Sequence, residues 1–193
     1  MTGLFSELID YMEEEAWKYE ILEGETIIRF HFKGRSGRLL CYGEVDEAKY
    51  WLIFYSYMPV NATPEKMASV AEFITRANRG MRIGNFELDF DDGEVRYKTS
   101  LDVEGGDLTS KMIDNLLRAN LTTIDRYFAG MMELIYGEKS AVDIIRRIET
   151  PPGDLDPLDS DETEFDDLDD EDDEELTYPP DDDDDEEDSG KRF

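Results

Sequence analysis

The chain reads as an α+β domain, α-β-β-β-α-β-β-α, followed by an acidic tail. Three features imply this. Apolar spacing switches between a period near 3.6 and a period of 2 along residues 1–150. One hairpin carries its own turn dipeptide and matched cross-strand pairs. Charge then divides the chain in two: of 50 Asp and Glu, 23 lie in residues 151–193 against only Lys191 and Arg192, in a chain of formal net charge −30.

The elements follow in order. Phe5, Leu8, Ile9 and Met12 recur at i, i+3, i+4 and i+7, one face of an amphipathic helix. Thr26 to Lys33 alternates, with Ile28, Phe30 and Phe32 on one face and Arg29, His31 and Lys33 on the other. Arg38 to Val45 alternates more weakly. Tyr50 to Met58 is apolar on both faces, as a central strand is. Thr63-Pro64-Glu65 places a capping hydroxyl before a proline at the first helical position, so a second helix starts there and stops at Gly80.

Asn85 to Asp102 is the hairpin. Asp92-Gly93 tolerates positive φ, and a two-residue loop places Phe90 opposite Val95 and Leu88 opposite Tyr97, with Asp89 facing Arg96 and Glu87 facing Lys98. A long helix runs from about Leu108 to Tyr136, with Gly137 ending it. Ser140 to Asp143 forms a capping box for a short last helix before Pro151-Pro152.

A body of about 150 residues is one domain, able to bury roughly 70% of its unfolded surface. The region 151–193 has too few apolar residues to offset its ordering entropy, and reads as a disordered polyacidic tail. A single cysteine, Cys41, excludes an internal disulfide and a Cys-based zinc site. Glu7, Asp10 and Glu13 to Glu15 interrupt any signal-peptide core, and Trp51 to Met58 is too short to span a bilayer. The acidic balance argues against direct nucleic-acid or membrane binding, and a cytoplasmic location is the expectation.

No catalytic constellation is legible. His31 is the sole histidine and sits on a polar strand face, as a surface residue does. Cys41 lacks a CxxC partner and reads as a small buried hydrophobe. Aligning Gly93 with the sixth position of a calcium loop puts Leu88 and Phe90 where ligands belong, so Asp89 to Gly93 is a hairpin turn. Gly34-Arg-Ser-Gly37 and Gly105-Gly106 lack the Lys-Ser/Thr of a phosphate loop.

Ala77-Asn78-Arg79-Gly80, Ile83-Gly84-Asn85-Phe86-Glu87-Leu88-Asp89, Gly93-Glu94-Val95-Arg96-Tyr97-Lys98 and Asp125-Arg126-Tyr127-Phe128 resemble the centre of YbjN-type domains. The likeness covers roughly Thr2 to Glu149 and leaves the tail outside. It implies a fold similar to type III secretion chaperones: a two-layer α+β domain whose twisted antiparallel five-stranded sheet, in the order 5-4-1-3-2, packs against helices. It also implies homodimers. The family is described as sensory-transduction regulators and has no known active site, so it lends no catalytic residue.

Two clusters remain as candidate sites. Trp51, Ile53, Tyr55 and Tyr57 share one side of the third strand, joined by Leu40 and Tyr42; with helices on the opposite side of the sheet, they form a partner-binding or dimer surface. Arg29, Lys33, Arg35 and Arg38 form the one basic cluster, a dock for the acidic tail. The reading is a non-catalytic regulatory or chaperone-like protein–protein interaction module with no cofactor, its tail modulating binding. The competing readings are a metal-dependent enzyme built on clustered carboxylates, and an acidic nucleic-acid mimic that binds a basic protein.

Overall fold

The computed structural model describes residues 3–150. Helix α1 (Leu4–Glu14) buries Leu8, Tyr11 and Met12. Its N-cap Gly3 offers no side chain, and the Glu47 carboxylate from a distant strand turn takes that role, accepting from Leu4 N at 3.1 Å and Phe5 N at 2.9 Å. Strands β1 (Tyr19–Ile21), β2 (Ile27–Lys33), β3 (Arg38–Asp46) and β4 (Trp51–Tyr57) then form an antiparallel meander. Helix α2 (Met67–Gly80) leads to β5 (Asn85–Leu88) and β6 (Val95–Asp102), and the chain closes with α3 (Ser110–Tyr136) and α4 (Ala141–Glu149).

The α+β class and the helix–strand order agree with the expectation, with three differences in the sheet. It has six strands, not five. The extra one, β1, pairs Tyr19 with Phe30 and Ile21 with Ile28; three residues with a central glutamate are too short to show alternation. Its order is β1-β2-β3-β4-β6-β5 rather than the order the family resemblance implied. Short turns join β2 to β3 and β3 to β4, so consecutive strands pair directly, and only α2 carries the chain across to β5. The third of the expected strands, β4, does lie inside the sheet, between β3 and β6.

Third, the β5–β6 register is two residues from the expected one: Leu88 faces Val95 and Glu87 faces Arg96. The turn is longer because Asp89 Oδ1 accepts from Asp91 N and Asp92 Oδ1 accepts from Glu94 N, while Gly93 N donates to Asp89 O. Gly93, at φ +80°, supports this loop, and Phe90 stands two-thirds exposed at its tip. A shift of two preserves the facing of every side chain. In α2 the helix proper begins at Met67, after a turn in which Thr63 O accepts from both Lys66 N and Met67 N. The last helix is capped as expected, Ser140 Oγ accepting from Asp143 N.

Helix α3 packs on β4 and β6, α2 on β5, and α4 on both α2 and α3. The core between these layers holds Ile28, Leu39, Leu52, Phe54, Phe73, Tyr97, Ile113, Leu117, Ile124 and Met131. Among the described residues its buried polar members are Ser56, Thr99 and Asn120. Asn120 on α3 accepts from Ser56 Oγ at 2.6 Å and donates to Phe54 O, Tyr97 O and Thr99 Oγ1 at 3.1 to 3.3 Å. Replacing Asn120 with alanine removes the acceptor of Ser56 Oγ and the donor to Phe54 O, Tyr97 O and Thr99 Oγ1 inside the core. The Asn120→Ala chain is expected to lose about 3 kcal/mol, read as a lower denaturant midpoint at unchanged slope, and Ser56→Ala about 1 kcal/mol.

Candidate functional site

Alternation sends every second residue of the sheet away from the helices. On that second face lie Arg29, His31 and Lys33 of β2, Arg38 to Asp46 at even positions of β3, Trp51 to Tyr57 at odd positions of β4, and Arg96 and Lys98 of β6. None of them is buried, so no element among the described residues covers this face. Such one-sided exposure is open to an antiparallel sheet, but the centre of this one is aromatic rather than polar.

The expected quartet Trp51, Ile53, Tyr55 and Tyr57 does line this face, and the register brings Leu40 opposite Tyr57 and Tyr42 opposite Tyr55. The connecting turn is residues 47–50, one position beyond the expected Asp46 to Lys49, which leaves the facing unchanged. Tyr42 meets Tyr57 edge-on with ring centroids 5.6 Å apart, and Tyr55 lies 6.4 Å from Tyr57. Lys49 Nζ sits 4.9 Å over the Trp51 ring.

Arg96 organises the far side of the strip. Its guanidinium lies 4.4 Å over the Tyr55 ring, donates to Tyr57 Oη at 3.2 Å, and pairs with Glu87 at 2.8 Å. Partial burial works against its charge, yet the bonds to Tyr57 and Glu87 outweigh this and raise its pKa. Burial raises Tyr55 and Tyr57, so both phenols are neutral donors throughout the ordinary pH range. In the sequence Arg96 is legible only as a hairpin residue, expected opposite Asp89 rather than Glu87; its place beside the tyrosines depends on β6 pairing with β4, a long-range contact.

Charge on the face is polarised along the strands. Glu44, Asp46 and Asp102 surround the Trp51 end, with Lys49 paired to Asp46, whereas Arg38, Arg96 and Lys98 surround the Tyr57 end, the last two sharing Glu87.

The four residues of the expected basic cluster lie at three places. Arg29 pairs with Glu20 across β1–β2 at 2.7 Å. Lys33 and Arg38 face each other across β2–β3. Arg35 lies in the following turn, its backbone N–H bonded to Asp125 of α3 at 2.9 Å. There Lys33 and Arg35 line a concavity with Arg126, a partner that the linear sequence does not place near them. The tail expected to dock on this cluster lies outside the described residues.

His31 is exposed on the open face, and Cys41 is buried beneath it, its Sγ 3.2 Å from Ser56 Oγ. Among the described residues no three His, Cys, Asp or Glu side chains gather as metal ligands, and no helix is long and apolar enough to cross a membrane. Burial pushes the Cys41 thiol from 9.0 to about 12. The folded chain therefore holds this proton across pH 9 to 12 while the unfolded chain releases it, so this group lowers stability as pH rises through that window. At pH 8 a thiol reagent is expected to modify the protein only as fast as it unfolds, and a burst of labelling under native conditions would contradict that burial.

Residues 5–133 match the family model YbjN, described as "Putative bacterial sensory transduction regulator". Among solved structures, the chain is similar to E. coli YbjN, described as "a putative transcription regulator", with TM-score 0.53 and 11% identity over 71% of this chain and 97% of that one. It also matches a chain in the ExsC–ExsE complex, with TM-score 0.45 and 13% identity over 65% of this chain and 91% of that one. A chain in the HopA1–SchA chaperone–effector complex matches with TM-score 0.43 and 15% identity, over 66% and 94%. No curated protein matches the chain.

Proposed function

Because this chain belongs to the YbjN family, we propose that residues 3–150 are a non-catalytic regulatory module, cytoplasmic in location, that works by binding protein on the open face of its sheet. The observation that carries this reading is the uncovered tyrosine strip. Leu40, Tyr42, Ile53, Tyr55 and Tyr57 are half-buried, with Arg96 over the Tyr55 ring, and a partner would take the rest of their apolar area out of water. Tyrosine suits such a surface, offering a broad apolar ring with a hydroxyl that keeps its hydrogen bond at the rim.

The partner whose charge fits is first a second copy of the chain. One end of the face is acidic and the other basic. A two-fold axis through the strip would set Glu44 and Asp46 of each copy against the Arg38 and Lys98 end of the other. The competing reading, a metal-dependent enzyme, requires carboxylates converging on one point, and the described residues do not supply that gathering.

Sedimentation equilibrium of the full chain at tens of micromolar tests the assignment. A dimer mass is expected for the native chain. Ile53→Asp and Tyr55→Ala should each weaken association by at least about tenfold, the range in which central interface residues act, while circular dichroism is unchanged. A monomer mass, or a dimer indifferent to both substitutions, overturns the proposal.

A further inference from the structure

The placement of cations beside α3 singles out a second surface. The turn between β2 and β3 is seated against this helix, with Gly34 N donating to Gly37 O at 2.9 Å and Arg35 N donating to Asp125 Oδ1 at 2.9 Å. Both glycines permit the close approach: a Cβ on Gly34 would collide with the Asp125 carboxylate, and one on Gly37 would lie 2.5 Å from the Phe128 ring. Beside the turn is a concavity of about 760 Å³ lined by Lys33, Arg35, Thr122, Asp125 and Arg126 among others. An adjoining concavity of about 590 Å³ runs past Met81, Ile83, Ala119 and Tyr127. Thr122 and Arg126 line both, so the two form one furrow that follows α3 from Ala119 to Arg126, about 10 Å.

The two halves differ in character. Lys33, Arg35 and Arg126 gather at the first against one carboxylate, Asp125, which already accepts from Arg35 N. Among the described residues none of these three cations is in a salt bridge, although most of the other basic side chains are. Arg126 is exposed but oriented: its guanidinium lies 5.7 Å from the Tyr127 ring centroid and donates to Ile148 O at 2.8 Å. A guanidinium carries five N–H groups, so this bond leaves donors for a ligand. The second half supplies apolar surface, where Ile83 stands half exposed beside Met81, Ala119 and Tyr127.

We propose that this furrow binds a small phosphate monoester with an apolar or aromatic body, its phosphoryl group held by Lys33, Arg35 and Arg126 and its body laid along Ala119, Tyr127 and Ile83. Charge selects the phosphoryl group. Three cations against one carboxylate leave two positive charges, and a phosphate monoester carries about −1.5 to −2 at pH 7, whereas a carboxylate carries a single charge. Guanidinium groups take phosphoryl oxygens through two parallel bonds. Size selects a small molecule, because both concavities fall within the roughly 300–1,000 Å³ of ligand pockets. A nucleic acid would instead bring a long run of phosphates against a chain of formal net charge −30, which repels it beyond the furrow. A ligand seated there bridges the β2–β3 turn, α3 and the residues that follow α2. Such binding is independent of what the open face of the sheet takes up.

The test titrates the isotopically labelled full chain with phenyl phosphate in a phosphate-free, low-salt buffer and reads the backbone amides. Saturable shifts are expected at residues 33–36, 122–126 and 81–83. Inorganic phosphate should move the first two groups and leave 81–83 in place. Benzoate keeps the ring but exchanges the phosphoryl group for a carboxylate, and should bind at least about tenfold more weakly. Lys33→Gln/Arg35→Gln and Arg126→Gln should each weaken phenyl phosphate by at least about tenfold, with the remaining amides unmoved as the control for folding. The first of these variants keeps the bond from Arg126 to Ile148 and so leaves α4 held. Lys18→Gln removes one exposed positive charge elsewhere and should change the affinity by less than about twofold. Shifts that do not saturate, benzoate binding as tightly as phenyl phosphate, or an affinity that survives both sets of substitutions overturns the proposal. A phosphoserine peptide with neutral flanks is expected to bind no more tightly than phenyl phosphate. Peptide binding tighter by about tenfold would assign the furrow to a phosphorylated protein and overturn the small-molecule ligand.

Discussion

The sheet and the helical layer are held in one alignment by a single amide. Asn120 lies midway along α3 and reaches the backbone of both β4 and β6, with Ser56 and Thr99 completing its hydrogen bonds. Apolar contacts between α3 and the sheet are non-directional and would tolerate a helix displaced by a turn. A buried amide does not, because any other placement strands its donors and acceptors in the core. Through Ser56 the network also reaches Cys41 on β3, so three strands and the longest helix share it. Everything on the far side of the sheet inherits its geometry from this fixed layer, including the spacing of the tyrosines.

Much of the fold is legible in the sequence because it is encoded locally. Capping residues such as Ser140 and the alternation of Ile28, Phe30 and Phe32 act within a few positions. Errors arise where geometry depends on partners far along the chain. Asp89 and Asp92 lengthen the β5–β6 turn by folding back on their own backbone, which a turn dipeptide alone does not reveal. The order of strands depends on which edge α2 delivers β5 to. The tyrosine face is legible from its period of two, whereas the Glu20 partner of Arg29 and the Arg126 neighbour of Lys33 and Arg35 are not, because proximity in sequence does not place them.

The residues that resemble the family centre turn out to be architectural. Ala77 is fully buried on α2, and Asn78 beside it bonds both the N–H and the carbonyl of Phe86. Gly84 adopts φ +77° with the backbone of Lys98 so close that a Cβ would lie 2.4 Å from its oxygen, and Tyr97 Oη donates to Ile83 O across the same corner. Together they fasten α2, β5 and β6 into one joint. A family can therefore share these positions while differing in what its open face binds.

The bond pair from Asn78 to Phe86 also sets which way the sheet could grow. Asn78 presents a side-chain amide where another strand's peptide group would dock, so the outer margin of β5 is already occupied by a mimic of a neighbour. The opposite margin, β1, is only three residues long and carries Glu20 at its middle. Strand-by-strand stacking of one molecule on the next is thus blocked chemically at one border and geometrically at the other. A protein with a broad uncovered apolar face can then make contacts through that face without polymerising along its edges.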